Sequence, residues 1–167
     1  MGYKRMKLYI KQKVFSWKDR FTVKDETGAD RYTVEGEFFS WGRKLHVSDM
    51  AGCEVVYIAQ EVWSWLDKYH VHIQGIHAAD VERKFSWFTP RYEISGPACS
   101  GWTVEGSFWE HDYEVRDGAG NCIVRITKEW MTWGDTYELE IARPEDELLA
   151  LALVLTIDCV KATQSNN

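Results

Sequence analysis

Apolar and polar residues alternate along most of the chain. Tyr32, Val34, Gly36 and Phe38 are interleaved with Thr33, Glu35 and Glu37, and Met6, Leu8, Ile10 and Val14 share one parity while Lys7, Tyr9, Lys11 and Lys13 share the other. A period of two marks a strand with one face in a core and one in water, because successive side chains of extended backbone point to opposite sides. The runs are separated by Asp-, Gly- and Pro-rich clusters, DETGAD, DMAGCE, QGIH, SGPACSG and RDGAGN. Such residues supply the positive φ and local hydrogen bonds of tight turns. The pattern predicts twelve antiparallel strands at about 6–16, 20–25, 30–39, 43–48, 53–62, 68–73, 77–86, 91–95, 101–109, 112–116, 122–131 and 136–142.

A second set of turns is aromatic. IKQKVFSW (Ile10 to Trp17) returns as IAQEVWSW (Ile58 to Trp65) and more loosely as ITKEWMTW (Ile126 to Trp133), with EFFSW, KFSW and SFWE at related places between them. Each is followed by a polar turn and another alternating run, so the strands group into six hairpins. A coarser duplication lies on top: VEGEF at Val34 to Phe38 reappears as VEGSF at Val104 to Phe108, and Phe15 to Trp17 as Phe85 to Trp87. Both pairs have the same offset, which indicates a six-plus-six strand pseudo-repeat. A twisted sheet of this size leaves exposed edges unless it closes. The expected fold is therefore mainly β, a twelve-stranded antiparallel closed barrel.

The chain changes character after Pro144. Glu145, Asp146 and Glu147 suit the first turn of a helix, and LLALALVLTI (Leu148 to Ile157) is apolar all round except for Thr156. A helix with no polar face belongs in a core or a membrane. Ten such residues span about 15 Å, too short for a hydrocarbon layer of ~30 Å. A helix over about 145–161 is expected to fill the barrel, within one domain covering residues 1–167 and with no transmembrane segment.

Composition narrows the function classes. Nine Trp, eight Tyr and seven Phe favour strands. The first residues lack the apolar stretch of a secretory signal, and Cys53, Cys99, Cys122 and Cys159 are scattered, which points to reduced thiols in a cytoplasmic protein. The net charge is −6, yet residues 1–24 hold eight basic side chains against Asp19 alone. An acidic body argues against a nucleic-acid binder, and one basic hairpin on it suggests a local anion-facing patch.

The K-x-F-S-W units, the V-E-G-x-F segments, P-R-Y-E-I at Pro90 to Ile94, T-W-G-D at Thr132 to Asp135 and the apolar closing helix resemble the LURP-one-related proteins. That family belongs to the Tubby C-terminal and phospholipid-scramblase superfamily. The resemblance covers about residues 6 to 161 and implies a Tubby-like barrel around a central helix. For activity it implies less: Tubby proteins in that superfamily bind phosphoinositides, while plant members of the family itself are linked to pathogen defence. The cysteine-rich N-terminus and D-x-D-x-D-G calcium loop of scramblases have no counterpart in the sequence, and the resemblance hands over no catalytic residue.

Five cations are the candidate anion-binding set: Lys7, Lys11, Lys13, Arg20 and Lys24. If a turn lies at Ser16–Asp19, Lys13 faces Thr22 and Lys11 faces Lys24, so all five share one outer face of two neighbouring strands. Like charges opposite one another are unfavourable, so either an anionic membrane surface, an acidic protein partner or acidic neighbouring strands must balance them. Trp17, Trp41, Trp63, Trp65, Trp87, Phe88, Trp109, Trp130 and Trp133 collect at one set of turns, where they are expected to seal the barrel mouth rather than to enter a membrane interface. His70 and His72 share a strand face, with His46 and His77 nearby, but no carboxylate or cysteine is spaced to complete a metal shell, so no metal is expected. Lys128 is expected to reach Asp158 on the closing helix. G-x-S-x-G, H-E-x-x-H and phosphate-cradling glycine motifs do not occur. The expectation is a non-enzymatic, cofactor-free binding module, cytoplasmic or peripheral at a membrane; the alternative is a soluble protein-interaction scaffold with no lipid ligand.

Overall fold

The structure is a computed structural model of the chain and describes residues 5–11, 20–37, 41–85, 87, 91–99, 101–107, 112–131 and 134–164. Twelve strands follow one another: β1 (Met6–Lys11), β2 (Phe21–Asp25), β3 (Asp30–Glu37), β4 (Lys44–Asp49), β5 (Glu54–Gln60), β6 (Lys68–Ile73), β7 (Ile76–Lys84), β8 (Arg91–Ser95), β9 (Trp102–Ser107), β10 (Asp112–Arg116), β11 (Cys122–Met131) and β12 (Gly134–Ile141). Each pairs antiparallel with its chain neighbours, and β1 closes the barrel on β12 from Met6 opposite Ile141 to Lys11 opposite Thr136. No edge strand is left open. Alternation decides which face is inside: Leu8 and Ile10, Val34, Leu45 and Val47, and Val56 and Ile58 are buried, while Lys7, Glu35, Lys44 and Glu54 face out.

The up-and-down order puts six of the eleven connections between strands at one end and five at the other, where the chain also leaves β12. At this second end, Asp25, Asp49 and Asp117 build the same turn: each carboxylate accepts backbone N–H bonds from the residues two and four positions on, and Gly28, Gly52 or Gly120 takes the positive φ. The chain then leaves β12 through a 3₁₀ turn, Pro144–Asp146, and enters the barrel as α1 (Glu147–Gln164). Ala150 to Val160 are buried on every side, so the barrel wall replaces the membrane that an all-apolar helix otherwise seeks. Thr156 settles its hydroxyl by donating to the Ala152 carbonyl at 2.7 Å. Glu147 anchors the helix start: its carboxylate accepts both Arg31 Nε and Nη2, and the Tyr32 hydroxyl donates to it at 2.8 Å. At the far end Arg43 Nη1 donates to the Cys159 carbonyl at 3.1 Å, tying the barrel wall to the later turns of the helix. Asp158 is buried in the lumen; the Lys128 side chain expected to meet it lies outside the described residues.

Candidate functional site

The aromatic end is open to solvent. The β3–β4 connection carries Trp41, the β5–β6 connection Trp63 and Trp65, and the β7–β8 connection Trp87; Trp41, Trp63 and Trp87 are 82 %, 87 % and 83 % exposed and Trp65 is wholly so. Phe85 packs edge-on against Trp87, with ring centroids 5.2 Å apart. For these four indoles the expectation that the rings seal the barrel mouth is overturned. Polar groups do work near that mouth: the Gln60 side chain accepts the Arg43 backbone N–H at 3.2 Å and donates to Asp67 at 3.1 Å, beside the Arg43 contact with α1. Trp17, Phe88, Trp109 and Trp133 and the side chain of Trp130 lie outside the described residues. Of the eight large apolar side chains exposed among the described residues, Trp41, Val62, Trp63, Trp65, Phe85 and Trp87 are at this end, and only Met50 and Ile76 are at the other. Apolar exposure concentrated in this way marks an interaction surface.

Cations occur among the strand ends on the aromatic side, several of them paired with acids such as Glu37 and Glu61. The basic hairpin runs along the barrel axis rather than across it. Lys11 and Arg20 lie at the aromatic end of β1 and β2; Lys7 and Lys24 lie nearer the opposite end, about 13 Å further along at ~3.3 Å per residue. Lys7 pairs with Glu138 at 2.7 Å, Arg20 with Glu35 at 2.9 Å and Lys24 with Asp30 at 2.5 Å. Acidic neighbours thus balance these three cations. Lys13 and the Lys11 side chain lie outside the described residues. The register also differs from expectation: Lys24 pairs with Tyr9 and Val23 with Ile10, not Lys24 with Lys11. A slip of two residues keeps every side chain on its original face, so alternation cannot distinguish the two registers; the connecting turn decides.

A histidine cluster lies on the outer wall. The β6–β7 turn places positive φ at both Gln74 and Gly75, and His70 falls opposite Asp80. Asp80 Oδ1 is 2.6 Å from His70 Nδ1 and 2.8 Å from His77 Nε2, and Glu61 Oε2 is 3.3 Å from His70 Nε2. Burial works to raise the Asp80 carboxyl pKa, but the bonds from His77 and His70 outweigh it and hold the group below its ordinary value. His46 is separate, bridging Glu54 at 2.6 Å and Glu37 at 3.0 Å. The expectation that no carboxylate accompanies the histidines is thereby corrected. The cause is a β-bulge: His72 pairs with His77 but Val71 with Ala79, so Ala78 is an extra residue. In regular strand His77 and Asp80, three apart, face opposite sides; the bulge brings both outward. The only signal in the sequence was Gly96, whose absent Cβ leaves room for the bulged backbone, and that reason is invisible without the pairing.

A family model described as LURP-one-related matches residues 6–158. An uncharacterised Bacillus subtilis protein, YxjI, is 36 % identical over 155 residues, covering 93 % of each chain. An Arabidopsis thaliana protein of known X-ray structure superposes with a TM-score of 0.68 at 18 % identity, over 96 % of this chain and 93 % of its own. At that identity the likeness establishes the barrel and its central helix as a shared fold and nothing about ligands.

Proposed function

The chain belongs to the LURP-one-related family, and on that premise we propose that it is a non-enzymatic binding module that docks on anionic phospholipid head groups, phosphoinositides included, with the aromatic end of its barrel. The observation that carries this reading is the concentration of exposed indoles at one end, among strand termini that bear cations. Trp suits a membrane interface because its ring is apolar and its N–H can stay hydrated. A cation close to an anionic surface contributes about 1 kcal/mol, and the effect fades within a Debye length of about 8 Å at physiological salt. Within the basic hairpin this favours Lys11, Lys13 and Arg20 as head-group contacts and gives Lys7 and Lys24 a minor share. The pair between Arg20 and Glu35 is exposed, and exposed pairs exchange readily for a phosphate. No helix among the described residues is long and apolar enough to cross a membrane, so attachment in this reading is peripheral.

Co-sedimentation with neutral, phosphatidylserine-containing and phosphoinositide-containing vesicles tests the proposal. The expected result is binding to anionic vesicles alone, weakened by salt, and lost both in Trp63→Ser/Trp65→Ser and in Lys11→Glu/Lys13→Glu. Folded protein that stays in the supernatant with every vesicle would overturn it.

A further inference from the structure

We propose that His70, His77 and Asp80 form a binding site for a divalent transition-metal ion of the zinc class on the outer wall of the barrel. One ring nitrogen of His70, one of His77 and a carboxylate oxygen of Asp80 lie within 4.8 Å of one another. Two imidazoles with one carboxylate suit zinc and its neighbours, which bind such donors at about 2.0–2.2 Å, and are a poor set for calcium or magnesium, which prefer oxygen. Ligands at that bond length around a tetrahedral ion stand roughly 3.3 Å apart. Asp80 Oδ1, now 2.6 Å and 2.8 Å from the two nitrogens, needs to retreat by under an ångström, within the reach of a side-chain torsion. The fourth position faces solvent and is left to water, since all three side chains are partly exposed.

The surroundings also suit a bound ion. Both ring nitrogens of His70 face carboxylates, Nδ1 toward Asp80 and Nε2 toward Glu61 at 3.3 Å. A neutral imidazole has one N–H and one lone pair, so it cannot donate to both. With a metal on Nδ1, the Nε2 proton is free to point at Glu61, the arrangement in which a second carboxylate fixes the tautomer and orientation of a metal-bound imidazole. The His77 ring is set by the edge-on ring of His72, centroid to centroid 5.5 Å. The site does not rest on the membrane reading, because it uses neither an indole nor a cation of the basic hairpin: it lies on the outer wall of β6 and β7, with Glu61 reaching it from the β5–β6 connection.

The test is titration of the full chain, after chelator dialysis, with Zn2+ by calorimetry and with Co2+ by visible absorption. One equivalent of Zn2+ is expected to bind with proton release that diminishes affinity toward acid pH, and Co2+ is expected to give the intense bands of a low-coordinate site. His77→Ala and Asp80→Asn should abolish both signals. Glu61→Gln should weaken binding by about tenfold to a hundredfold, and His46→Ala should leave it unchanged. Absence of stoichiometric binding, or binding that survives both His77→Ala and Asp80→Asn in folded protein, would overturn the assignment.

Discussion

Glu147 joins the helix to the wall through three bonds at once, two from Arg31 and one from the Tyr32 hydroxyl. The carboxylate is buried while Arg31 is partly exposed, so the contact lies between a surface pair and a buried one. Replacing it by an amide removes the charge but keeps the shape. Glu147→Gln is expected to lower unfolding free energy by about 1–3 kcal/mol, the range for losing a charged hydrogen-bond partner, as read by urea denaturation. A loss well below that range would mean that the apolar burial of α1 alone holds the helix in place.

Between single residues and the barrel stand the bulges and turns that set register. Pairing shifts after Val23, Val47 and Val71, at even spacing along the chain, and again after Val115. Three of these sit just ahead of the repeated Asp turns, where a bulge matches the strand twist to the loop. The β6–β7 bulge is the exception, since it follows a two-residue turn and is backed by Gly96. A Cβ on Gly96, at φ +133°, would stand 2.7 Å from the Ala78 carbonyl oxygen and 2.8 Å from Ala79 Cα, both backbone atoms that cannot swing away. Gly52, also at positive φ, has open space around it. Gly96→Ala is therefore expected to cost more stability than Gly52→Ala, which loses only the conformational preference of about 1–2 kcal/mol. It should also displace the β6–β7 amide resonances near His70 and Asp80. Equal losses in the two variants would remove the close approach from the account of the histidine cluster.

At the scale of the whole molecule, the barrel hides acid groups that ionise only at high pH. Burial pushes the Cys99 thiol from 9.0 up to about 11, and pushes the Tyr92 and Tyr32 hydroxyls from 10.0 up to about 12, Tyr32 also by its contact with Glu147. Burial likewise raises Tyr113 and Cys159, with Asp158 adding to both. The unfolded chain gives up these protons first, so their contribution is whole below the unfolded values and is lost as pH rises through the folded ones. Each group removes about 1.4 kcal/mol per pH unit while only its unfolded form is ionised. The urea midpoint is expected to hold up to about pH 9 and then fall steeply toward pH 12. Cys99→Ala should make the first part of that fall shallower; a midpoint flat to pH 11 would contradict the burial of these groups. The same axial organisation separates the end where the helix enters, with its repeated Asp turns, from the end that exposes the indoles.

The alternation of residues determined most of this protein by itself. Eleven connections, twelve strands and an all-apolar terminal helix follow from a period of two that breaks only at Asp/Gly and aromatic turns, because burial of one strand face is a local requirement written at every second position. What the tertiary structure alone decided is where parity carries no information. The β1–β2 register differs by two residues without moving any side chain to the other face. The indoles of Trp41, Trp63, Trp65 and Trp87, repeated in the turns as if to close the mouth, stand in solvent instead. Asp80 joins His70 and His77 only through one extra residue in a strand, a feature that alternation alone would have placed on opposite faces.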